Sequence, residues 1–182
     1  KSALIVTHLY ESPSKTYTHY SGIKGFLLGK GLIDNGYNTF ILSNDEGIIR
    51  HNNFDYIHHK LLSENVLMNF DLIIFCLHNK EILTPLHVHI DIFNRVLCCK
   101  DKNKNIKVIN KTCQYPITLD DIGIDSYSFF DNIFLQTENT VIPSLILNKL
   151  NASDKLVVWK LREYLKEQGI KSKIDSSEMT FD

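Results

Sequence analysis

No single charge or chemistry dominates this chain, and what it lacks narrows its class. Lys and Arg number 20 against 21 Asp and Glu, a formal net charge of -1. So balanced a chain has no long-range field to draw nucleic acid or an anionic membrane surface, and neither is expected as a partner. No apolar run approaches the roughly 18 residues that span a bilayer, so no transmembrane segment is expected. No secretory leader is recognisable. Cys76, Cys98, Cys99 and Cys113 form no C-x-x-C pair, which fits reduced thiols in a cytoplasmic setting. No Pro-, Gly- or Ser-rich stretch divides the sequence, so residues 1–182 read as one domain. The first residue is Lys1 rather than Met, so this start is not read as a natural terminus.

Several motifs are also missing. Gly22, Gly25, Gly29 and Gly31 do not make G-x-G-x-x-G directly after a strand, and Gly29-Lys30-Gly31 lacks the Ser or Thr of a P-loop. There is no G-x-S-x-G elbow for a nucleophilic serine. His58-His59 and His87-x-His89 do not make a metal site, because helix positions two apart point in different directions and zinc needs three or four ligands. Neither a metal nor a cofactor is expected.

What is present is an alternation of short apolar runs with helical stretches. Strands are predicted at Ala3–Thr7, Thr39–Ser43, Tyr56–His59, Leu72–Leu77, Ile106–Ile109 and Ile133–Leu135. The continuous run Leu72-Ile73-Ile74-Phe75-Cys76-Leu77 suits a strand covered on both faces, as in a parallel sheet. Helices are predicted over Gly22–Asn35, Ser63–Asn69, Thr84–Cys99, Pro143–Leu150 and Asp154–Gln168, and Ile170–Met179 reads as a last strand or extended exit. The fold class is therefore α/β: a Rossmann-like parallel sheet of about six strands with helices on both faces. The glycines at 22, 25, 29 and 31 cost the first helix about 1 kcal/mol each relative to Ala, so close packing or a ligand must compensate. The Lys100, Lys102, Lys104 and Lys107 cluster reads as a solvated turn.

Parallel sheets of this kind bind ligands beyond the carboxyl ends of their strands. The candidate residues there are His8 at the end of the first strand and Ser14, Lys15, Thr16, His19, Ser21 and Gly22 in the loop and helix start that follow. Hydroxyls, one cation and a helix N-terminus suit a phosphate or carboxylate. His78 and Asn79 follow the Leu72–Leu77 run, and His78 has the chemistry of a general base.

Four segments extend this pattern. Gly36-Tyr37-Asn38-Thr39 leads into Phe40-Ile41-Leu42, and Phe70-Asp71-Leu72-Ile73-Ile74 leads to His78. Val108-Ile109 runs into Asn110-Lys111-Thr112, and Asp131-Asn132-Ile133-Phe134-Leu135 ends at Gln136-Thr137-Glu138. Together they resemble the N-terminal domain of a GT-B glycosyltransferase of the family 4 kind. In this chain Ser, Thr and Tyr replace the family's first-loop Gly-Gly pair. Asn110-Lys111-Thr112 stands where the family often places a His. The resemblance implies an acceptor-binding domain that needs a following C-terminal domain to bind the nucleotide-sugar donor, with a glycan or small molecule as acceptor. It implies catalytic roles for His78 and Lys111, and substrate contacts from Asn110, Thr112, Thr137 and Glu138 besides the residues above. The alternatives are a standalone flavodoxin-like or nucleotide-binding α/β domain, and a non-catalytic scaffold domain.

Overall fold

The computed structural model describes residues 1–7, 20–76, 88–111, 131–135 and 156–158. Side chains are described for all of these except residues 20–24, 111, 132–135 and 156–158. The first unit is β1 (Ser2–Val6), α1 (Tyr20–Asp34) and β2 (Asn38–Ser43). A hairpin follows, β3 (Ile48–His51) and β4 (Phe54–His58), then a 3-10 turn at His59–Leu61 and the short α2 (Glu64–Leu67). β5 (Leu72–Phe75), α3 (Val88–Lys102), β6 (Lys107–Lys111), β7 (Asn132–Leu135) and β8 (Leu156–Val158) complete the described elements.

The strands form one 8-stranded sheet in the order β3-β4-β2-β1-β5-β6-β7-β8. Every pair is parallel except β3 with β4. This is the α/β parallel sheet expected from the alternation, extended by β3 and β8. Residues 156–158 were expected to be helical and instead pair with β7, Leu156 opposite Ile133. The β-branched pair Val157-Val158 fills a sheet position better than a helical one, so tertiary pairing overrides the apolar spacing. The predicted helix at Pro143–Leu150, the exit at Ile170–Met179 and the rest of Asp154–Gln168 lie outside the described residues.

Among the described residues, alternation along the strands builds a core on each face of the sheet. Leu4, Val6, Leu42, Ile57, Ile73, Phe75 and Val108 face Leu67 of α2 and Ile92, Phe93, Val96 and Cys99 of α3. Ile5, Ile41, Phe54, Tyr56 and Cys76 face the other way, onto Phe26, Leu28, Leu32 and Ile33 of α1. Helices therefore cover both faces.

The glycines of α1 are partly explained by this packing. A Cβ on Gly29 would lie 2.4 Å from Phe54 Cε1, and one on Gly25 would lie 2.7 Å from Thr7 Cγ2. Both glycines let the helix sit against the sheet, with Gly25 over the carboxyl end of β1. Gly31 meets nothing within 4 Å. Gly36 ends the helix at φ +80°, where its N–H reaches the Ile33 carbonyl at 2.9 Å and that of Tyr37 reaches Leu32 at 3.0 Å.

Helix α3 is held at its C-terminal end by carboxylates. Lys100 pairs with Asp131, Lys102 with Glu64 at 2.6 Å, Lys104 with Asp101 at 3.1 Å and Lys107 with Asp131 at 3.9 Å. The lysine cluster is thus a set of ion pairs linking α3 to α2 and to the approach to β7. Lys102, Lys104 and Lys107 keep exposed side chains, as expected of a solvated cluster, whereas Lys100 is largely buried against Asp131.

Candidate functional site

The chain order places β2 and β4 on one side of β1 and β5 through β8 on the other. The order reverses between β1 and β5, which makes their carboxyl ends the topological switch point, the usual ligand position in such sheets.

Burial of polar side chains singles out that same edge. Thr7 follows β1, Ser43 and His58 end β2 and β4, Asn110 is the penultimate residue of β6 and His89 lies in the first turn of α3; all are buried. Thr39, at the start of β2, is the buried polar residue elsewhere among those described. The amino edge is closed differently. There Asp71 accepts from the Ser2 N–H at 2.7 Å and Asp131 from the Val108 N–H at 2.7 Å. These carboxylates satisfy strand donors and stabilise the sheet; they need no ligand.

At the carboxyl edge each buried group has its own situation. His89 Nε2 lies 2.9 Å from the Thr7 carbonyl. A carbonyl only accepts, so Nε2 carries the proton and α3 is tied to the end of β1 across the switch point. Ser43 Oγ accepts from the Asp45 N–H at 3.0 Å, and His58 Nδ1 accepts from the Lys60 N–H at 3.2 Å. Asn110 is different. It is 0% exposed, and among the described residues neither its Oδ1 nor its Nδ2 has a hydrogen-bond partner. It lies opposite Phe75 of β5 and Ile133 of β7. Two positions beyond Val108, it shares the α3 face of the sheet.

Of the residues nominated from the sequence, Asn110 is at this edge with its side chain described. Lys111, the last residue of β6, and Ser21 and Gly22, in the first turn of α1, are described through their backbones. His8, Ser14, Lys15, Thr16, His19, His78, Asn79, Thr112, Thr137 and Glu138 lie outside the described residues. In sequence His8 and Thr112 directly follow described segments ending at Thr7 and Lys111. Sequence reasoning did not assign Thr7, Ser43, His58 or His89 to the edge. His58 and His89 were weighed only as metal ligands. The available signal was position: each polar residue breaks or ends an apolar strand run, apart from His89, whose reach to Thr7 is not local in sequence. Among the described residues no group of three or more His, Cys, Asp or Glu is placed to hold a metal ion.

His59, next to His58, has its pKa lowered from the usual 6.5, first by burial and then by the charges of His58, Lys60, Arg95 and His89. The two imidazole rings lie 4.3 Å apart between centroids.

No family model matches the chain, and no curated protein matches it. Solved structures that match the chain include a DNA/pantothenate metabolism flavoprotein from Streptococcus pneumoniae, 16% identical over 72% of this chain and 78% of that one, TM-score 0.43. A sucrose-phosphate synthase from Thermosynechococcus elongatus is 8% identical over 94% of this chain and 53% of its own, TM-score 0.49. An AraC family transcriptional regulator from Pseudomonas putida is 11% identical over 87% and 75%, TM-score 0.35. Among the described residues no helix is long and apolar enough to cross a membrane.

Proposed function

We propose that the carboxyl edge around β1, β5 and β6 is a ligand cleft, and that the chain is a single acceptor-side domain of a two-domain sugar transferase working in the cytoplasm. The observation that carries this reading is Asn110. A buried amide without partners costs about 1–3 kcal/mol, and it lies at the edge where α/β sheets bind ligands. Its Oδ1 accepts and its Nδ2 donates, which matches a sugar hydroxyl better than it matches an anion. The edge must open to admit such a ligand, since Asn110 is covered.

In this reading Asn110, with His8, Ser14, Lys15, Thr16, His19, Ser21, Gly22, Asn79, Thr112, Thr137 and Glu138, holds the acceptor. His78 and Lys111 serve the reacting hydroxyl. The nucleotide sugar is held by a following domain. The test is calorimetric titration of this chain with nucleotide sugars and with glycan acceptors. Acceptor binding that weakens in Asn110→Leu, with little nucleotide-sugar binding until a second domain is attached, is the expected result. A chain that binds a nucleotide sugar or a flavin tightly on its own, or a full-length protein inert toward nucleotide sugars, would overturn it.

A further inference from the structure

A second polar feature lies on the α3 side of the sheet. The 3-10 turn His59–Leu61 directly follows β4 and carries His59 and Lys60, with His58 as its N-cap. Arg95, on α3, donates from Nη1 to the Leu62 carbonyl at 2.9 Å, and the Leu62 N–H in turn bonds the His59 carbonyl at 3.2 Å. One turn of backbone therefore joins the guanidinium to the two adjacent histidines, whose rings are tilted 32° to each other.

Arg95 is half-buried, and among the described residues no carboxylate pairs with it. One N–H is used on Leu62, and guanidinium offers five. Glu64, the nearest acidic residue in sequence to this turn, is committed to Lys102 at 2.6 Å. The charged groups acting on His59 are His58 and Lys60 from its own turn and Arg95 and His89 from α3, and all four oppose its protonation. Several other cations among the described residues pair with carboxylates, as in the lysine pairs at the end of α3 and the Arg50–Asp55 pair at 2.8 Å. Here, among the described residues, the cations gather without a carboxylate partner.

We infer that His58, His59, Lys60 and Arg95 form a binding site for a phosphate group, separate from the acceptor contacts at Asn110. Arg supplies planar, charge-assisted donors suited to phosphate oxygens. His58 Nδ1 accepts from Lys60 N–H, which leaves Nε2 as its donor. A bound dianion replaces the missing counter-charge and favours protonation of His59, so binding and proton uptake reinforce each other. The phosphate can be free or carried as a monoester on a sugar. Neither source requires the sugar-transfer reading.

The experiment follows the imidazole resonances of His59 by NMR in the whole chain, at matched ionic strength. Inorganic phosphate, glucose 6-phosphate and glucose are the probes. Both phosphates should shift His59 and raise its titration midpoint, while glucose should not. Stronger binding of glucose 6-phosphate than of phosphate would identify a monoester as the source, and equal binding would identify the free anion. Sulfate, a dianion throughout the range, should bind about tenfold more tightly on the acid side of the His59 titration than on the alkaline side. His59→Gln should abolish that pH dependence, and Arg95→Gln should weaken sulfate about tenfold. Arg95→Lys should recover part of the loss if charge is what matters. A His59 signal unmoved by any of these anions in the unsubstituted protein would overturn the inference, as would equal sulfate affinity in His59→Gln across the pH range.

Discussion

Gly29 and Gly31 sit two residues apart on α1, and a methyl group at each has opposite consequences. At Gly31 the space is open, so Gly31→Ala should gain about 0.5–1 kcal/mol from helix propensity alone. At Gly29 the added carbon meets the Phe54 ring at 2.4 Å. Phe54 is fully buried and packed edge-on against Phe26 at 5.3 Å, so it cannot step aside. Gly29→Ala should cost about 1–3 kcal/mol net. Urea denaturation of the two variants measures both. Asn110→Leu removes an amide that has no partner among the described residues while keeping its approximate volume. It should raise stability by about 1 kcal/mol while weakening ligand binding; a loss of stability would mean that the amide is satisfied in the folded protein. His59 adds a pH signature. Its lowered pKa means the unfolded chain binds more protons than the folded one as pH falls through 6.5 toward the folded value. Stability should therefore rise with pH through that window and level off above it, and His59→Gln should remove this slope from the denaturation midpoints.

At the scale of elements, legibility depended on how local the signal was. β1, β2, β5, β6 and β7 could be read because each is an apolar run between turn residues. Helix α1 could be read because Gly36 stops it. β3 was missed although Asn52-Asn53 marks its turn: both residues adopt positive φ, 50° and 67°, as a tight two-residue hairpin requires. Ile48 is 58% exposed and Ile49 38%, so β3 has no inward apolar face to reveal it. β8 was misread because its partner, β7, is more than twenty residues away in sequence, and apolar spacing alone cannot separate a short strand from a helix. The lysine cluster could be read as solvated, but its long-range ion pairs could not, for the same reason. Two of its acidic partners, Glu64 and Asp131, lie far off along the chain, whereas Asp101 is three residues from Lys104. Asp131 is the most consequential of these. Asp131→Ala leaves the buried Val108 N–H without its acceptor and should cost about 1–3 kcal/mol. Asp131→Asn, which keeps an acceptor, should cost less. The difference in their urea midpoints separates the hydrogen bond from the charge.

At the scale of the whole molecule, the parallel sheet makes one edge the meeting place of segments distant in sequence. The alternation of strands and helices was enough to locate that edge. It could not say which groups would be buried there, because the burial of Ser43, His58 and Asn110 depends on how β2, β4 and β6 line up with their neighbours. His89 was least accessible of all. Its contact with Thr7 spans 82 positions and follows from the packing of α3 over the sheet.

That contact also makes His89 an internal reporter. Its ring spans from a helix to the end of the first strand, so a molecule settling there must alter the magnetic environment of the imidazole, whatever its chemical nature. Screening compounds against that one resonance would detect occupancy before any reaction had been assigned.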